Sequence, residues 1–205
     1  MTSPARRLAT ASPPTPQLRL ASASPRRAQL LASVGLRFEV VPSHIAELRQ
    51  PGQSPRDYAL ATALAKARSG TNVDWPVLGA DTDVVVDGDI LGKPRDRSHA
   101  LEMLARLSNR GHEVYSAVAV IAGPLELTAL SITRVVFGTI TPAAAADYWA
   151  SGEPADKAGA YAIQGGAARW VRRIEGSYTG VVGLPLYESI ELLAQVGVRP
   201  AAGTR

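Results

Sequence analysis

Residues 77–94 read VLGADTDVVVDGDILGKP, and they give the clearest indication of the fold. Apolar residues surround Asp81 and continue up to the dipeptide Asp87-Gly88, a pattern that is typical of a buried strand. Asp87-Gly88 itself favours a tight hairpin turn, and residues 89–94 predict the returning strand. The stretch therefore predicts a hairpin with a carboxylate inside an apolar strand, where an unpaired charge is costly.

The length of the turn decides what lies beside Asp81. A two-residue loop brings Lys93 opposite Thr82, whereas a three-residue loop brings it opposite Asp83. Asp83 follows Asp81 by two residues, so both face the same side of the strand. In either case a carboxylate, a hydroxyl and an ammonium converge, a set that suits phosphoryl chemistry with a divalent cation. The alternative is an edge hairpin with solvated charges.

Helix and strand signals alternate along the rest of the chain. Ser24-Pro25, Ser54-Pro55 and Thr141-Pro142 each place a hydroxyl N-cap before a proline, which predicts the start of a helix. The stretches HALEMLARLS and PLYESIELLAQVG predict two more helices. Strands are predicted at 18–22, 37–43, 76–86, 89–94, 113–122, 127–140 and 168–176. Because βα units mix with hairpins, we expect an α/β fold with a mixed twisted sheet and flanking helices.

Length and composition limit the class of protein. A chain of 205 residues forms one domain, or two small lobes around a central cleft. The absence of cysteine excludes disulfides and thiol nucleophiles. No apolar run approaches the ~20 residues of a membrane helix, so we expect a cytoplasmic protein without a membrane partner. Residues 1–17 are rich in proline, serine and threonine and are predicted to be a disordered extension before a single domain at 18–205.

The basic charge lies mainly near the two ends of the chain. The net charge is +4, from 22 basic and 18 acidic residues. Four of the basic residues are Arg6, Arg7, Arg199 and Arg205. Without them the counts are 18 and 18, so we expect no nucleic-acid partner. The only lysines are Lys66, Lys93 and Lys157. In so arginine-rich a chain they are candidates for places that need a compact ammonium, with chance as the alternative.

Residues 20–31, LASASPRRAQLL, join a strand end to a helix start. Free backbone N–H groups and the helix dipole favour an anion at such a position. Arg26 and Arg27 oppose the dipole, so an anionic ligand accounts for them better than local stability does. Ser22, Ser24, Arg26 and Arg27 are therefore candidate phosphate-binding residues, and two solvated arginines are the alternative.

Three further residues are candidates for the site. Gln164 lies between glycine-containing stretches in DKAGAYAIQGGAARWV, residues 156–171, and its amide could both donate to and accept from a pyrimidine edge. Glu47 follows a predicted strand and could be a second carboxylate for a metal. Lys66 lies in an alanine-rich helical stretch, where a buried ammonium needs a partner. A loop glutamine in solvent and an isolated surface glutamate are the alternatives for the first two.

Together these segments resemble the Maf family of nucleoside triphosphate pyrophosphatases, over about residues 18–195. The motifs LASASPRR, LAKA, LGADT, LGKP, DKAGAYAIQG and VVGLPL occur in the order of that family. The resemblance implies an inosine triphosphate pyrophosphatase-like fold and hydrolysis between the α and β phosphates. It also implies a homodimer and a divalent cation, with Mg²⁺ expected first and Mn²⁺ or Co²⁺ as alternatives.

The resemblance also implies roles for single residues in catalysis. Asp81 would accept the proton from water, and Asp81 and Glu47 would hold the metal. Arg26, Lys66 and Lys93 would contact the triphosphate. The residues expected to carry catalysis are Asp81, Glu47, Lys66 and Lys93.

Specificity follows from the subtype that the sequence resembles. Arg26, Thr82 and Gln164 match members that act on dTTP and UTP, so these residues would select pyrimidine nucleotides. Two departures from the family are Ala46, in place of a usual acidic residue, and Asn109, in place of a common glycine. The alternatives are a 7-methyl-GTP or broad-specificity pyrophosphatase, and a non-catalytic nucleotide or nucleic-acid binder linked to cell division.

Overall fold

The computed structural model of the protein describes residues 15–71 and 75–200. The disordered extension expected at 1–17 lies, for residues 1–14, outside the described residues. Gln17 lies against the body of the protein, because its backbone N–H donates to the Arg37 carbonyl at 2.8 Å. No helix in the described ranges is long and apolar enough to cross a membrane.

The described residues form one mixed sheet with helices around it. The strands are β1 Leu18–Leu20, β2 Phe38–Val40, β3 Val77–Val86, β4 Asp89–Leu91, β5 Gly111–Ala122, β6 Leu125–Phe137 and β7 Val171–Glu175. The helices are α1 Pro25–Ser33, α2 Pro55–Arg68, α3 Arg97–Leu107, α4 Pro142–Ala150, α5 Tyr178–Val182 and α6 Leu186–Gln195. Short 3₁₀ turns cover Glu153–Asp156, Ala158–Ala160 and Gly166–Trp170. Every predicted helix and strand is present, which confirms the expected fold class.

Two elements differ from the prediction. The sequence does not predict α5, because its β-branched residues and glycine are weak helix formers. The Ser177 hydroxyl stabilises its start by accepting a hydrogen bond from the Gly180 N–H at 3.0 Å. The strand predicted at 168–176 begins only at Val171, since the preceding residues form a 3₁₀ turn.

The three serine or threonine residues before prolines do not all cap their helices. Ser54 and Thr141 accept hydrogen bonds from N–H groups in the first turns of α2 and α4. Ser24 makes no such side-chain bond, so the prediction of a hydroxyl cap there is wrong. Its own N–H donates instead to the Ser22 hydroxyl at 3.2 Å. The start of α1 therefore keeps N–H groups that no side chain caps.

Strand β3 is the centre of the sheet. The strand order is β2-β1-β3-β5-β6-β7, with β4 also paired to β3. Among the strands that the structure describes, only the pairings of β1 with β2 and with β3 are parallel. One edge of β3 pairs with β5 over residues 77–85. The other edge pairs with β1 at Val77 and Leu78 and with β4 from Val84 onward. Between these pairings, residues 79–83 leave a gap in the described sheet, and this gap opens the cleft.

The hairpin between β3 and β4 has the two-residue loop. Val86 pairs with Asp89, and the two loop residues have φ angles of +54° and +80°. These left-handed angles match the turn that Asp-Gly favours. The three-residue alternative is therefore wrong, and Lys93 follows the end of β4 by two residues. Asn109 also has a φ of +54°, as its tolerance of the left-handed region allows.

The buried core is divided on either side of the gap. One apolar cluster includes Leu78 and Ala80 and packs with β1, α1 and α6. The other includes Val84 and Val86 and packs with α3, α4 and the 3₁₀ turns. The polar residues between them on β3 therefore lie where two lobes meet.

Helix α2 packs very closely on β3. Alanines at 59, 63 and 67 form its buried face, against Ala117 and Ala119 of β5. A Cβ at Gly79 would lie 2.4 Å from the Ala63 carbonyl oxygen, so only glycine allows this approach. The close packing holds Lys66, on the same helix, near Asp81 of β3.

Candidate active site

A cleft of about 900 Å³ opens at the gap beside β3. All the residues that the sequence predicted for the site line this cleft: Ser22, Ser24, Arg26, Arg27, Glu47, Lys66, Asp81, Thr82, Lys93 and Gln164. They come from α1, α2, β3 and four loops. The topology therefore brings together segments that are widely separated along the chain.

A buried ion-pair network forms the floor of the cleft. The Lys66 ammonium lies 2.7 Å from Asp81 Oδ1 and 2.8 Å from Glu47 Oε1. Asp81 is 5% exposed and Lys66 is 8% exposed. This burial would be costly for either charge alone, and the pairing offsets it. The structure thus confirms that Lys66 needs a partner, and it identifies two.

Two carboxylate oxygens at this floor have no hydrogen-bond partner among the described residues. They are Asp81 Oδ2 and Asp83 Oδ2, both buried. Burial and then the neighbouring charge of Asp81 raise the pKa of Asp83 to about 8. Buried polar atoms are nearly always satisfied in folded proteins, so an oxygen left free at a cleft floor points to a ligand.

Glu47 differs from Asp83 because it is half exposed and directly paired. Burial raises its pKa, but the hydrogen bond and charge of Lys66 outweigh burial and lower it. Lys93 lines the same cleft, and its charge lowers the pKa of Glu47 further. Glu47 is therefore held as a carboxylate at neutral pH.

The donor set fits a divalent cation. Asp81 Oδ2 is free, and Glu47 is ionised beside it on the same ammonium. Within residues 15–71 and 75–200, no group of three histidine, cysteine, aspartate or glutamate side chains is placed to share one ion. Mg²⁺ is commonly held by one or two carboxylates with substrate phosphates and water, so two carboxylates meet its needs.

Arg27 is partly buried and ties three segments together. Its guanidinium donates to the Gly183 carbonyl at 2.8 Å, to the Ser22 hydroxyl at 3.1 Å and to Thr82 Oγ1 at 3.4 Å. Burial lowers its pKa. Arg26 donates through Nε to the Val182 carbonyl at 3.3 Å. Both arginines of the motif therefore fix the start of α1 against the end of α5 and Gly183.

The end of α5 and Gly183 form a part of the site to which the sequence analysis assigned no role. The Thr82 hydroxyl donates to the Gly183 carbonyl at 3.2 Å, and Gly183 has a φ of +140°. The available signal was the motif VVGLPL, which contains this glycine. No spacing rule connects it to Thr82, because the two residues are far apart in the chain.

The third lysine also lies in the cleft. Lys157 lines it beside Asp156, and the two side chains form an ion pair. The hydrogen bond from Lys157 lowers the pKa of Asp156. All three lysines of the chain therefore border one cleft.

Gln164 lies at the other side of the cleft, on an exposed loop tip. Tyr161 of the same loop is buried, and its hydroxyl lies 2.8 Å from His112 Nε2. Burial lowers the pKa of His112 to about 4, so this histidine is neutral at physiological pH. Aromatic side chains and a neutral histidine support this side of the cleft, in contrast to the charged floor.

A family model described as Maf-like protein matches residues 17–196. The chain belongs to this family. Its curated relatives include proteins named dTTP/UTP pyrophosphatase from Escherichia coli O157:H7 and Shigella dysenteriae serotype 1. Each is 51% identical over 172 residues, which cover 82% of this Maf-like protein and 87% of the relative.

Among solved structures, this Maf-like protein is similar to a HAM1 protein from Coxiella burnetii. The TM-score is 0.42 and the identity 14%, over 60% of this chain and 73% of the other. The Staphylococcus aureus Ham1 protein gives 0.42 and 12%, over 58% and 71%. These scores are too low to carry an argument about the site.

Proposed function

We propose that this Maf-like protein is a nucleoside triphosphate pyrophosphatase that hydrolyses dTTP and UTP, and modified pyrimidine nucleotides, to the monophosphate and pyrophosphate. One observation carries the proposal: the free carboxylate oxygen of Asp81 shares a cleft with Arg26, Lys66 and Lys93. A polyphosphate needs cations along its length and a base near the scissile bond. The names of the curated relatives support the same substrate class.

Asp81 is the proton acceptor in this proposal. Lys66 fixes Oδ1, which leaves Oδ2 to take the proton from water. The water oxygen attacks phosphorus, the bond to the bridging oxygen breaks, and pyrophosphate leaves. Arg26, Lys93 and the uncapped N–H groups of α1 offset charge on the phosphate oxygens. Ser22 and Ser24 lie at the same helix start and complete the anion site.

Asp81 and Glu47 would hold a divalent cation, with Mg²⁺ proposed first and Mn²⁺ or Co²⁺ as alternatives. Such an ion polarises the phosphates when it is bound. The free oxygen of Asp81 and the ionised state of Glu47 support this assignment. The Lys66 ammonium orients both carboxylates for this role.

Thr82 and Gln164 would select the base, with Arg26. Gln164 is exposed in the cleft and carries both a donor and an acceptor, as the edge of uracil or thymine requires. Thr82 is held by Arg27 and Gly183 and so has a fixed hydroxyl position. Fixed polar groups discriminate strongly between bases, because a wrong base leaves them unpaired.

The location and assembly of the protein are part of the proposal. We propose a cytoplasmic homodimer without a nucleic-acid or membrane partner. The resemblance to the Maf family supports the dimer, and the even balance of charge away from the termini supports the absence of a nucleic-acid partner. Sedimentation of the purified chain tests the dimer.

A nucleotide panel tests the function. Pyrophosphate release is measured with dTTP, UTP, CTP and 7-methyl-GTP, with Mg²⁺ and after EDTA. We expect dTTP and UTP to be preferred and EDTA to abolish turnover. A preference for 7-methyl-GTP, or equal rates for all four, would support the alternative enzymes. Binding without turnover, or affinity for DNA that falls steeply with salt, would support the non-catalytic binder.

A further inference from the structure

A buried tyrosine and a glutamate lie behind the Gln164 loop, outside the charged floor. Tyr148 belongs to the last turn of α4, and Glu153 begins the 3₁₀ turn that follows. Tyr148 is 3% exposed, and its hydroxyl donates to Glu153 Oε1 at 2.5 Å. Neither residue lines the cleft, so neither is accounted for by the proposed chemistry.

The pair holds both ends of the Gln164 loop. The Ala162 N–H donates to the Tyr148 hydroxyl oxygen at 3.0 Å. The Gly166 N–H donates to Glu153, with both carboxylate oxygens at 3.1 Å. Gln164 lies midway between these two anchored N–H groups. One continuous chain of hydrogen bonds therefore fixes the backbone on each side of the residue that faces the cleft.

The two glycines after Gln164 fit around this pair. A Cβ at Gly165 would lie 2.1 Å from a Glu153 oxygen, and a Cβ at Gly166 would lie 3.2 Å from the Tyr148 ring. Position 165 therefore admits only glycine as long as Glu153 keeps its place, and position 166 is tight for any side chain. The Gly-Gly sequence is explained by this close approach.

Packing around the pair keeps it in place. The Tyr148 ring meets the edge of Trp170 at a centroid distance of 5.2 Å and an angle of 88°. Ile163, inside the loop, is 6% exposed and belongs to the same apolar cluster. The loop thus has a buried apolar anchor and two polar anchors, and the exposed Gln164 side chain lines the cleft between them.

We propose that Tyr148 and Glu153 form a clamp that positions Gln164 for recognition of the base, so that both are positioning residues for substrate specificity. The inference rests on the proposed function and deepens it. A loop fixed before binding loses less conformational entropy when the base binds. It also discriminates against a base that does not match, because the fixed polar group is then left unpaired. The residues proposed for the phosphate chemistry lie on the other side of the cleft, so the clamp takes no part in that chemistry.

The first test removes one hydroxyl. Tyr148→Phe deletes both the acceptor for Ala162 and the donor to Glu153 and keeps the ring. We expect kcat/KM for dTTP to fall about tenfold relative to that for CTP, mainly through KM, with kcat within about twofold. Inhibition by inorganic tripolyphosphate should not change. Tyr187→Phe makes the same substitution at a 75% exposed position and is the matched control.

A double-mutant cycle separates positioning from general stability. In a Gln164→Ala background, Tyr148→Phe should change the ratio of kcat/KM for dTTP to kcat/KM for CTP by less than about twofold, because there is no amide left to position. Glu153→Ala should lower the ratio as Tyr148→Phe does, while Glu153→Gln, which keeps an acceptor for Gly166, should restore much of it. These two variants carry the test if Tyr148→Phe does not fold.

The outcomes separate the clamp from the function. A wild-type protein that hydrolyses none of the nucleotides overturns the proposed function and the clamp with it. A wild-type protein that prefers dTTP, together with variants that keep that preference at lower thermal stability, overturns the clamp alone. An equal effect of Tyr148→Phe with and without Gln164 also overturns it.

Discussion

The two sides of the cleft are built in opposite ways. The acid end (Glu47, Lys66 and Asp81) is an ion-pair network in which Lys66 and Asp81 are buried and held by regular elements, with α2 packed on β3 through alanines, and Glu47 is half exposed. The base end (Tyr148, Glu153 and the loop that carries Gln164) is held by backbone hydrogen bonds and aromatic packing. Charge dominates the first and shape the second. We therefore expect changes at the acid end to affect turnover and stability, and changes at the base end to affect the choice of substrate.

The largest effect is expected at Asp81. Asp81→Asn keeps an oxygen that can accept from Lys66 but removes the proton acceptor, so turnover of dTTP should fall on the order of a thousandfold. The far-ultraviolet circular dichroism should stay near the wild-type spectrum, because Lys66 keeps its ion pair with Glu47. Asp89→Asn, an exposed position on β4, is the matched control. Near-normal turnover of Asp81→Asn contradicts the mechanism.

Lys66 tests whether the acid end also supports the fold. Lys66→Met leaves two carboxylates together, and removing one partner of a buried pair costs about 3 kcal/mol of unfolding free energy. Urea unfolding measures this cost, and pyrophosphate release should fall in parallel. Arg68→Met is the control on the same helix, because Arg68 pairs with Glu126 on the surface, where ion pairs contribute little. Equal losses of unfolding free energy in the two variants would show that the ion pairs of Lys66 contribute no more to stability than a surface ion pair does.

The dependence of stability on acidic pH tests the base end, through the buried His112. The folded-state pKa of His112 is lowered to about 4 by burial, from 6.5 for the free side chain. The unfolded chain therefore binds the proton first, and stability is lost as pH falls from 6.5 to 4. The loss reaches about 3 kcal/mol below both values. His112→Phe should lose less stability over this interval in urea titrations, and exposed His44→Phe should keep the wild-type slope.

The sequence predicted the acid end well because its signals are local. An aspartate in an apolar strand, a lysine in an alanine-rich helix and an Asp-Gly turn each have a direct physical meaning. They led to Asp81, to Lys66 and to a hairpin with a loop of two or three residues. The structure places Lys66 against Asp81 and has the two-residue loop. What spacing could not supply was the position of α2 over β3, which depends on the close approach at Gly79.

The base end was less accessible from the sequence because its bonds join distant segments. Gln164 was identified from its amide and the surrounding glycines, but nothing near it in the sequence points to Tyr148 or Glu153. Arg27 shows the same limit, since its longest-range partner, Gly183, lies 156 residues away. A local pattern predicts Arg27 as a phosphate ligand, and the structure shows its contacts with Thr82 and Gly183, which no local pattern predicts.

The smallest effect, and the most specific, is expected at Gln164. Gln164→Glu keeps the length of the side chain but replaces its donor with a second acceptor. Uracil and thymine present a ring N–H between two carbonyl oxygens, whereas cytosine presents an amino group. The kcat/KM for dTTP relative to CTP should therefore fall about tenfold. Inhibition by inorganic tripolyphosphate should change less. Gln195→Glu, at an exposed position in α6, is the control. If the relative kcat/KM values across the nucleotide panel do not change, Gln164 takes no part in base recognition. The two sides of the cleft would then be parts of a single phosphate site.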